Sequence, residues 1–247
     1  MKIRAVTYVL VHGGGTTGRF WDRLLPHLDQ PALAVHLPGR ADRPADLGSI
    51  TVGQEVASVV ADIESSTQSS FTLVAHSSGG LVVPGVVAAL GDRVERVVLS
   101  AGLIPPEDGC GLDCMQPRHA EGLKLANDAA QQEGNPIIFP APTEPEAMRK
   151  SFGGDPLDDE TLAYVFDPVR SVADTVNHYF QPVHWSTAAS VDVTYLLNAR
   201  DRPIPTALQV EMVARLPQRA TRIDLDGGHI PAVTDPGRFA ALLASRP

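Results

Sequence analysis

A serine stands at a sharp turn between two apolar segments of the chain. The stretch Ala75-His76-Ser77-Ser78-Gly79-Gly80 follows the apolar run Phe71-Thr72-Leu73-Val74. A small residue two positions before and two positions after Ser77 allows the strained strand-to-helix turn that exposes a nucleophilic hydroxyl. Ser78 is the weaker candidate, because His76 would then occupy the first small position and crowd the neighbouring strand. The pattern therefore predicts Ser77 as a nucleophile.

A histidine and an aspartate follow the last two apolar runs and could activate this serine. A serine hydroxyl is a weak nucleophile at neutral pH, so it needs a base to accept its proton and an acid to orient that base. His229 stands in Gly227-Gly228-His229, where two glycines let the loop turn back toward the serine. Asp201 follows the preceding run. We expect all three at the carboxyl ends of parallel strands, in the chain order Ser, Asp, His.

A glycine-rich stretch, His12-Gly13-Gly14-Gly15, follows the first apolar run. The developing oxyanion of an acyl-transfer reaction needs preorganised N–H donors. We expect the backbone N–H of Gly14 and that of Ser78 to supply them. A phosphate-binding role is disfavoured, because no Gly-Lys-Ser/Thr follows the glycines.

Short apolar runs rich in β-branched residues alternate with helical patterns along most of the chain. This alternation predicts an α/β fold with a mostly parallel sheet and helices on both faces. The predicted strands are Val6–Val11, Ala32–Leu37, Phe71–Ala75, Val94–Ser100, Val191–Asn198 and Thr221–Leu225.

Helix starts are marked by three capping boxes and one Asp-Pro pair. The boxes are Thr51 with Gln54, Thr143 with Glu146, and Thr206 with Gln209. Asp235-Pro236 predicts the N-cap and first residue of the last helix. The helix after Ser77 is predicted from the motif alone, and Pro84 is expected to kink it.

The alternation stops between Ala101 and about Ala189, which predicts a helical cap inserted before the penultimate strand. We expect residues 1–102 and 190–247 to form the core and residues 103–189 the cap. The predicted cap helices are Arg118–Glu133, Pro145–Lys150, Asp159–Phe166 and Ser171–Phe180.

Aromatic residues are concentrated in the predicted cap. Seven of the chain's thirteen lie between Phe139 and Trp185, and they could form either a small core or a hydrophobic substrate pocket. His178, His184 and Trp185 are the candidate substrate contacts.

The composition of the chain disfavours several classes of binding partner. The chain has 247 residues and a net charge of −9. It therefore lacks the positive electrostatic field that a protein needs to bind nucleic acid. No apolar run reaches the roughly 20 residues that span a bilayer, and we expect a cytoplasmic protein with a small-molecule substrate. The only two cysteines, Cys110 and Cys114, do not make a metal site by themselves, and neither a metal nor a cofactor is expected.

Over essentially its whole length the chain resembles the α/β-hydrolase superfamily. The matching elements are His12-Gly13-Gly14, Leu37-Pro38-Gly39, the serine turn, Arg200-Asp201-Arg202-Pro203 and Gly228-His229. Its compact build is most similar to the branch of plant methyl-ester esterases and hydroxynitrile lyases, with many bacterial esterases. The resemblance implies a Ser77–Asp201–His229 triad acting through an acyl-enzyme. The lyases carry a lysine directly after the catalytic histidine, whereas this chain has Ile230, which disfavours cyanohydrin cleavage.

We therefore expect a serine hydrolase that cleaves a carboxylic ester or lactone of a hydrophobic small molecule. Leu37-Pro38-Gly39-Arg40 and the chain length also resemble type II thioesterases. Acyl transfer and ligand sensing remain alternatives, because one fold hosts many functions. The sequence leaves the oligomeric state open.

Overall fold

Six parallel strands form the central sheet of the protein, seen in a computed structural model that describes residues 7–66, 70–152, 154–217 and 220–245. These strands are β1 Thr7–Val11, β2 Ala32–Ala34, β3 Phe71–His76, β4 Val94–Ser100, β7 Val193–Asn198 and β8 Ala220–Leu225. Their order across the sheet is β2-β1-β3-β4-β7-β8. The predicted α/β fold is confirmed. Val6, the predicted start of the first strand, lies outside the described residues, and β2 ends three residues earlier than expected.

Helices connect the strands and cover the sheet. They are α1 Val52–Ser65, α2 Val83–Leu90, α3 Pro117–Gln132, α4 Pro145–Ser151, α5 Asp159–Phe166, α6 Thr206–Ala214, α7 Pro231–Thr234 and α8 Pro236–Ala244. Asp235 accepts a hydrogen bond from the Arg238 N–H, so the predicted N-cap of α8 is confirmed. No helix in the described ranges is long and apolar enough to cross a membrane.

Successive strand side chains point to opposite faces of the sheet, and each face has its own hydrophobic core. One core joins Val9, Leu73 and Val97 to apolar side chains of α1 and α2. The other joins Leu10, Val74 and Val98 to Trp21 and to Phe239 of α8. Because both faces are buried, the strands read as nearly continuous apolar runs in the sequence.

The chain after β3 divides into two short helices. A 3₁₀ turn spans Ser77–Leu81, and α2 begins at Val83. Pro84 lies in the first turn of α2, where a missing N–H costs no helical hydrogen bond. The predicted single kinked helix is therefore wrong: the break lies before the proline.

The segment between β4 and β7 contains α3, α4 and α5 close to their predicted bounds, but its last predicted helix is wrong. Residues 171–180 instead contain β6, Asp174–Thr175, followed by a 3₁₀ turn at Asn177–Phe180. β6 pairs antiparallel with β5, Ile138–Phe139. Ser171 pairs with Thr16, and the Val172 N–H donates to the Gly15 carbonyl; both partners lie in the loop after β1, residues 12–16, which we call the glycine loop. These long-range bonds outweigh the helical pattern.

Of the three predicted capping boxes, only the one at Thr51 and Gln54 forms. The N-cap of α4 is Glu144 and that of α6 is Pro205, and neither has a side-chain cap. The boxes at Thr143 and Thr206 are therefore wrong. Gln209, the expected partner of Thr206, is buried and binds neighbouring loop backbone instead.

We expect Thr51→Ala to lower the free energy of unfolding by about 1 kcal/mol, because it removes a formed N-cap. Thr206→Ala is the matched control, since its hydroxyl caps no helix and only donates to the exposed Ala199 carbonyl. Urea denaturation of both variants measures the difference. Equal losses would contradict this assignment of the caps.

Candidate active site

The Asp201 and His229 side chains meet at the carboxyl ends of β7 and β8. Oδ2 of Asp201 lies 2.7 Å from Nδ1 of His229, and both residues are buried. Oδ1 of Asp201 accepts the Ile204 N–H at 2.7 Å. Each oxygen of the Asp201 carboxylate thus has a hydrogen bond, and these two bonds fix its position. The carboxylate holds the imidazole in one orientation through Nδ1 and leaves Nε2 outside this hydrogen bond.

Buried Gln209 stabilises the turn that carries Asp201. Its amide N–H groups donate to the carbonyls of Asn198 and Ile204, and its oxygen accepts the Asn198 N–H. These bonds join the end of β7 to the residue that binds Asp201. No pattern in the sequence indicates this role, because Gln209 fits a capping pattern equally well.

Ser77 lies directly after β3 in the strained turn that its neighbours predicted. Its φ of +52° is in the left-handed region, which non-glycine residues rarely adopt. Strain of this kind is found at functional sites, where the surrounding structure imposes it. The side chain is half-buried at the edge of the sheet.

His76 connects the serine turn to the loop of His229. Its Nε2–H donates to the His229 carbonyl at 2.8 Å, and the two rings are 4.7 Å apart between centroids. Burial and the neighbouring His229 hold the pKa of His76 well below its usual range. His76 is therefore a neutral hydrogen-bond donor that brings the serine turn and the histidine loop together.

A second neutral histidine shapes the glycine loop after β1. Burial, with a smaller effect of Arg40, lowers the pKa of His12 to about 3. Its Nε2 accepts the Leu37 N–H at 3.2 Å, so Nδ1 carries the proton and donates to the Gly13 carbonyl at 2.9 Å. His12 has a local structural role.

Gly14 lies between the serine turn and the segment that precedes β7. A Cβ at this position would lie 2.9 Å from the Asp174 carboxylate, 2.9 Å from the Tyr179 hydroxyl and 3.3 Å from Oγ of Ser78. The next residue, Gly15, donates its N–H to Asp174 at 2.6 Å. The structure thus places Gly14 close to the side chain of Ser78; the backbone N–H groups of these two residues are the expected oxyanion donors.

A buried network of charged side chains supports the glycine loop. The Arg40 guanidinium is fully buried and binds both Glu55 and Asp174. Glu55 also contacts Nδ1 of His178 at 3.1 Å. Burial opposes ionisation of this last pair, but the mutual attraction prevails, so that the pKa of Glu55 is lowered and that of His178 is raised.

An apolar cavity of about 180 Å³ adjoins the site. It reaches Gly14 on one side and Ile230 on the other, next to His229. The ring of Phe152 lines it and stacks on the His229 imidazole, 5.6 Å between centroids. Its other walls are formed mainly by apolar and aromatic side chains, among them Phe20, Phe139, Met148, Tyr164 and Val172.

The structure brings none of the three predicted substrate contacts to this cavity. His178 is buried against Glu55. His184 is half-exposed and faces Asp108 at 3.1 Å on the surface. Trp185 is buried in the main core. These three residues were predicted as substrate contacts only because they lie near other aromatic residues in the sequence. Closeness in the sequence does not determine where a side chain points.

Cys110 and Cys114 are free thiols. Burial raises the pKa of both, that of Cys114 to about 12. A thiol with a raised pKa is largely protonated and is a poor nucleophile or metal ligand at neutral pH.

The chain belongs to the alpha/beta hydrolase family, whose model matches residues 8–242. It is 25% identical over 256 aligned positions to a pyrethroid hydrolase of Sphingobium wenxiniae, an alignment that covers 96% of this chain and 85% of that protein.

Two solved structures have the same fold as this chain. An extracellular alpha/beta-hydrolase from a Paenibacillus species, described as sharing structural and functional homology with tobacco salicylic acid binding protein 2, superposes with a TM-score of 0.80. It is 21% identical, with 96% of this chain and 97% of that chain covered. A methylesterase from Arabidopsis gives a TM-score of 0.71 at 18% identity, with 96% and 97% covered.

We expect Arg40→Met to lower the free energy of unfolding by about 3–5 kcal/mol, because it leaves the buried Asp174 carboxylate without its cationic partner and removes one of the two partners of Glu55. Arg43→Met is the matched control. Arg43 is partly exposed and pairs with Asp62, so its loss should cost about 1 kcal/mol or less. Urea denaturation compares the two variants, and a loss at Arg40 no larger than that at Arg43 would disprove the expectation.

The His178–Glu55 pair should stabilise the protein most under mildly acidic conditions. His178 has a folded pKa above its ordinary 6.5, so its contribution is complete below pH 6.5 and is lost as the pH rises through the folded value. We expect the stability difference between wild type and His178→Gln to shrink from pH 6 to pH 9. Urea denaturation across this range measures it, and a constant difference would refute the linkage.

Proposed function

We propose that the protein is a serine hydrolase that cleaves a carboxylic ester or lactone of a hydrophobic small molecule through an acyl-enzyme. The observation that carries the proposal is the buried 2.7 Å contact of Asp201 with His229, held by His76 against the strained turn of Ser77. This combination supplies an oriented base and, on the turn that His76 joins to the loop of that base, a half-buried serine hydroxyl, as nucleophilic acyl transfer requires.

The reaction follows from the roles of these groups. His229 accepts the Ser77 proton at Nε2 while Oγ attacks the carbonyl carbon, and the Asp201 carboxylate stabilises the imidazolium that forms. Backbone N–H groups of Gly14 and Ser78 bind the tetrahedral oxyanion. His229 then returns the proton to the leaving alcohol, and water releases the acid by the same steps. No cofactor takes part.

The cavity supports the hydrophobic substrate class. It offers aromatic and aliphatic walls next to Gly14 and Ile230, where one side of an ester would lie during attack. The names of the similar proteins, a pyrethroid hydrolase and a methylesterase, agree with hydrolysis of an ester bond.

We further propose that residues 103–189 act as a cap over the site, with residues 1–102 and 190–247 as the catalytic core. Phe139, Phe152 and Tyr164, which lie in this segment, line the cavity. Its backbone also bonds to the glycine loop, from Val172 N–H to the Gly15 carbonyl at 2.9 Å. These contacts support a cap that forms part of the substrate pocket.

Ser77→Ala should abolish hydrolysis of p-nitrophenyl esters, and Asp201→Asn should lower kcat about 10⁴-fold because it leaves the imidazole in the wrong tautomer. Purified variants are compared with Ser65→Ala, an exposed serine at the end of α1 that should retain full activity. Fluorophosphonate labelling followed by mass spectrometry should place the modification on Ser77. Ser77→Ala with wild-type turnover would falsify the assignment.

A substrate panel separates the proposed activity from its alternatives. Esters and lactones should turn over faster than carrier-type thioesters. Added alcohol or thiol acceptors should not replace water in the product. Release of one equivalent of product without further cycling would indicate a ligand sensor instead of an enzyme.

A further inference from the structure

A buried carboxylate outside the triad binds the loop of His229. Asp155 lies between α4 and α5 and is 9% exposed. Its Oδ2 accepts the His229 backbone N–H at 2.7 Å, and its Oδ1 accepts the Ile230 N–H at 3.3 Å. The Thr234 hydroxyl contacts it at 3.5 Å. All of these partners belong to the loop of His229 or to α7, which follows it directly.

The residues around Asp155 pack so closely that two glycines are required. A Cβ at Gly228 would overlap the Asp155 carboxylate, and a Cβ at Gly154 would overlap the carbonyl of Arg200. Arg200 is the residue before Asp201. The dipeptide Gly154-Asp155 is therefore inserted between the loop that carries Asp201 and the loop that carries His229.

The Asp155 carboxylate interacts electrostatically with His229 and Asp201. Burial raises the pKa of Asp155 to about 6. The hydrogen bonds from the Ile230 and His229 N–H groups oppose this rise. The charge of His229 also lowers the pKa of Asp155, whereas the charge of Asp201 raises it. Of the other charged or titratable groups nearby, the Arg200 guanidinium pairs with Asp226, and His76 donates to the His229 carbonyl. Asp155 is thus a second carboxylate close to the histidine.

We propose that Asp155 is a positioning residue for the reaction: its carboxylate fixes the His229 loop against the loop of Asp201. This inference rests on the proposed function, in which His229 is the base. Asp155 does not touch the reacting atoms. It couples the segment between β4 and β7 to the chemistry at Ser77.

Asp155→Asn keeps the size of the side chain and removes its charge. We expect kcat for a p-nitrophenyl ester to fall about 10-fold with little change in KM, because a loosened base is misplaced in the transition state. We also expect the acid limb of the kcat/KM profile to move to lower pH, because protonation of Asp155, whose pKa is about 6, no longer weakens the hold on the His229 loop.

Asp159→Asn is the matched control, because it removes the same charge four residues later from a fully exposed side chain. Its pH profile should coincide with that of wild type. A merely structural role for Asp155 would lower the amount of folded enzyme and leave the acid limb in place. An Asp155→Asn profile equal to that of Asp159→Asn would overturn the proposal.

The outcome for Ser77→Ala separates the two proposals. If Ser77→Ala is inactive while Asp155→Asn behaves like its control, only the positioning role fails. Activity in Ser77→Ala overturns the proposed function itself.

If Asp155→Asn does not fold, hydrogen exchange of the wild type tests the proposal. Protection of the His229 and Ile230 amides should fall as the pH drops from 7.5 to 5, relative to the Ile204 amide. Unchanged protection would contradict the proposal.

Discussion

A fully buried guanidinium, that of Arg40, is the interaction on which the glycine loop depends. A cation in the protein interior must be paired, and Arg40 is paired with Glu55 from α1 and with Asp174 from β6. Asp174 in turn accepts the Gly15 N–H, so the charge of Arg40 helps to fix the backbone that faces Ser78. The network also explains why β6 is extended: its carboxylate must reach both the guanidinium and the loop.

The parts of the site that could be predicted from the sequence are those set by local rules. A small-residue turn after a buried strand implies a strained serine, and Ser77 has the positive φ that such a turn requires. Asp201 and His229 each follow a strand of one parallel sheet, and parallel strands bring their carboxyl ends to the same edge. Chain order and strand position led to the expectation that Asp201 and His229 act together, and the structure places their side chains 2.7 Å apart although they are 28 positions apart in the chain.

The rest could not be predicted, because it depends on pairings between distant segments. Asp155 and Asp174 belong to no recognisable motif, and no local pattern shows that they bind backbone N–H groups of loops far away in the chain. Gln209 matches a capping box as well as it matches its actual role beside Asn198. The segment 171–180 has a helical pattern, but hydrogen bonds to the glycine loop determine its conformation.

One segment therefore contributes both to the shape of the cavity and to the geometry of the site. Phe139 and Phe152, which line the cavity, share this segment with the two buried carboxylates that bind the glycine loop and the His229 loop. A substitution that displaces this segment to accept a larger substrate would also displace the N–H groups held by Asp155 and Asp174. The strand-end residues are anchored separately by the sheet, so substrate range is most safely altered through a side chain such as that of Met148 in α4, which lines the cavity, and not through Phe139, which is paired with Asp174.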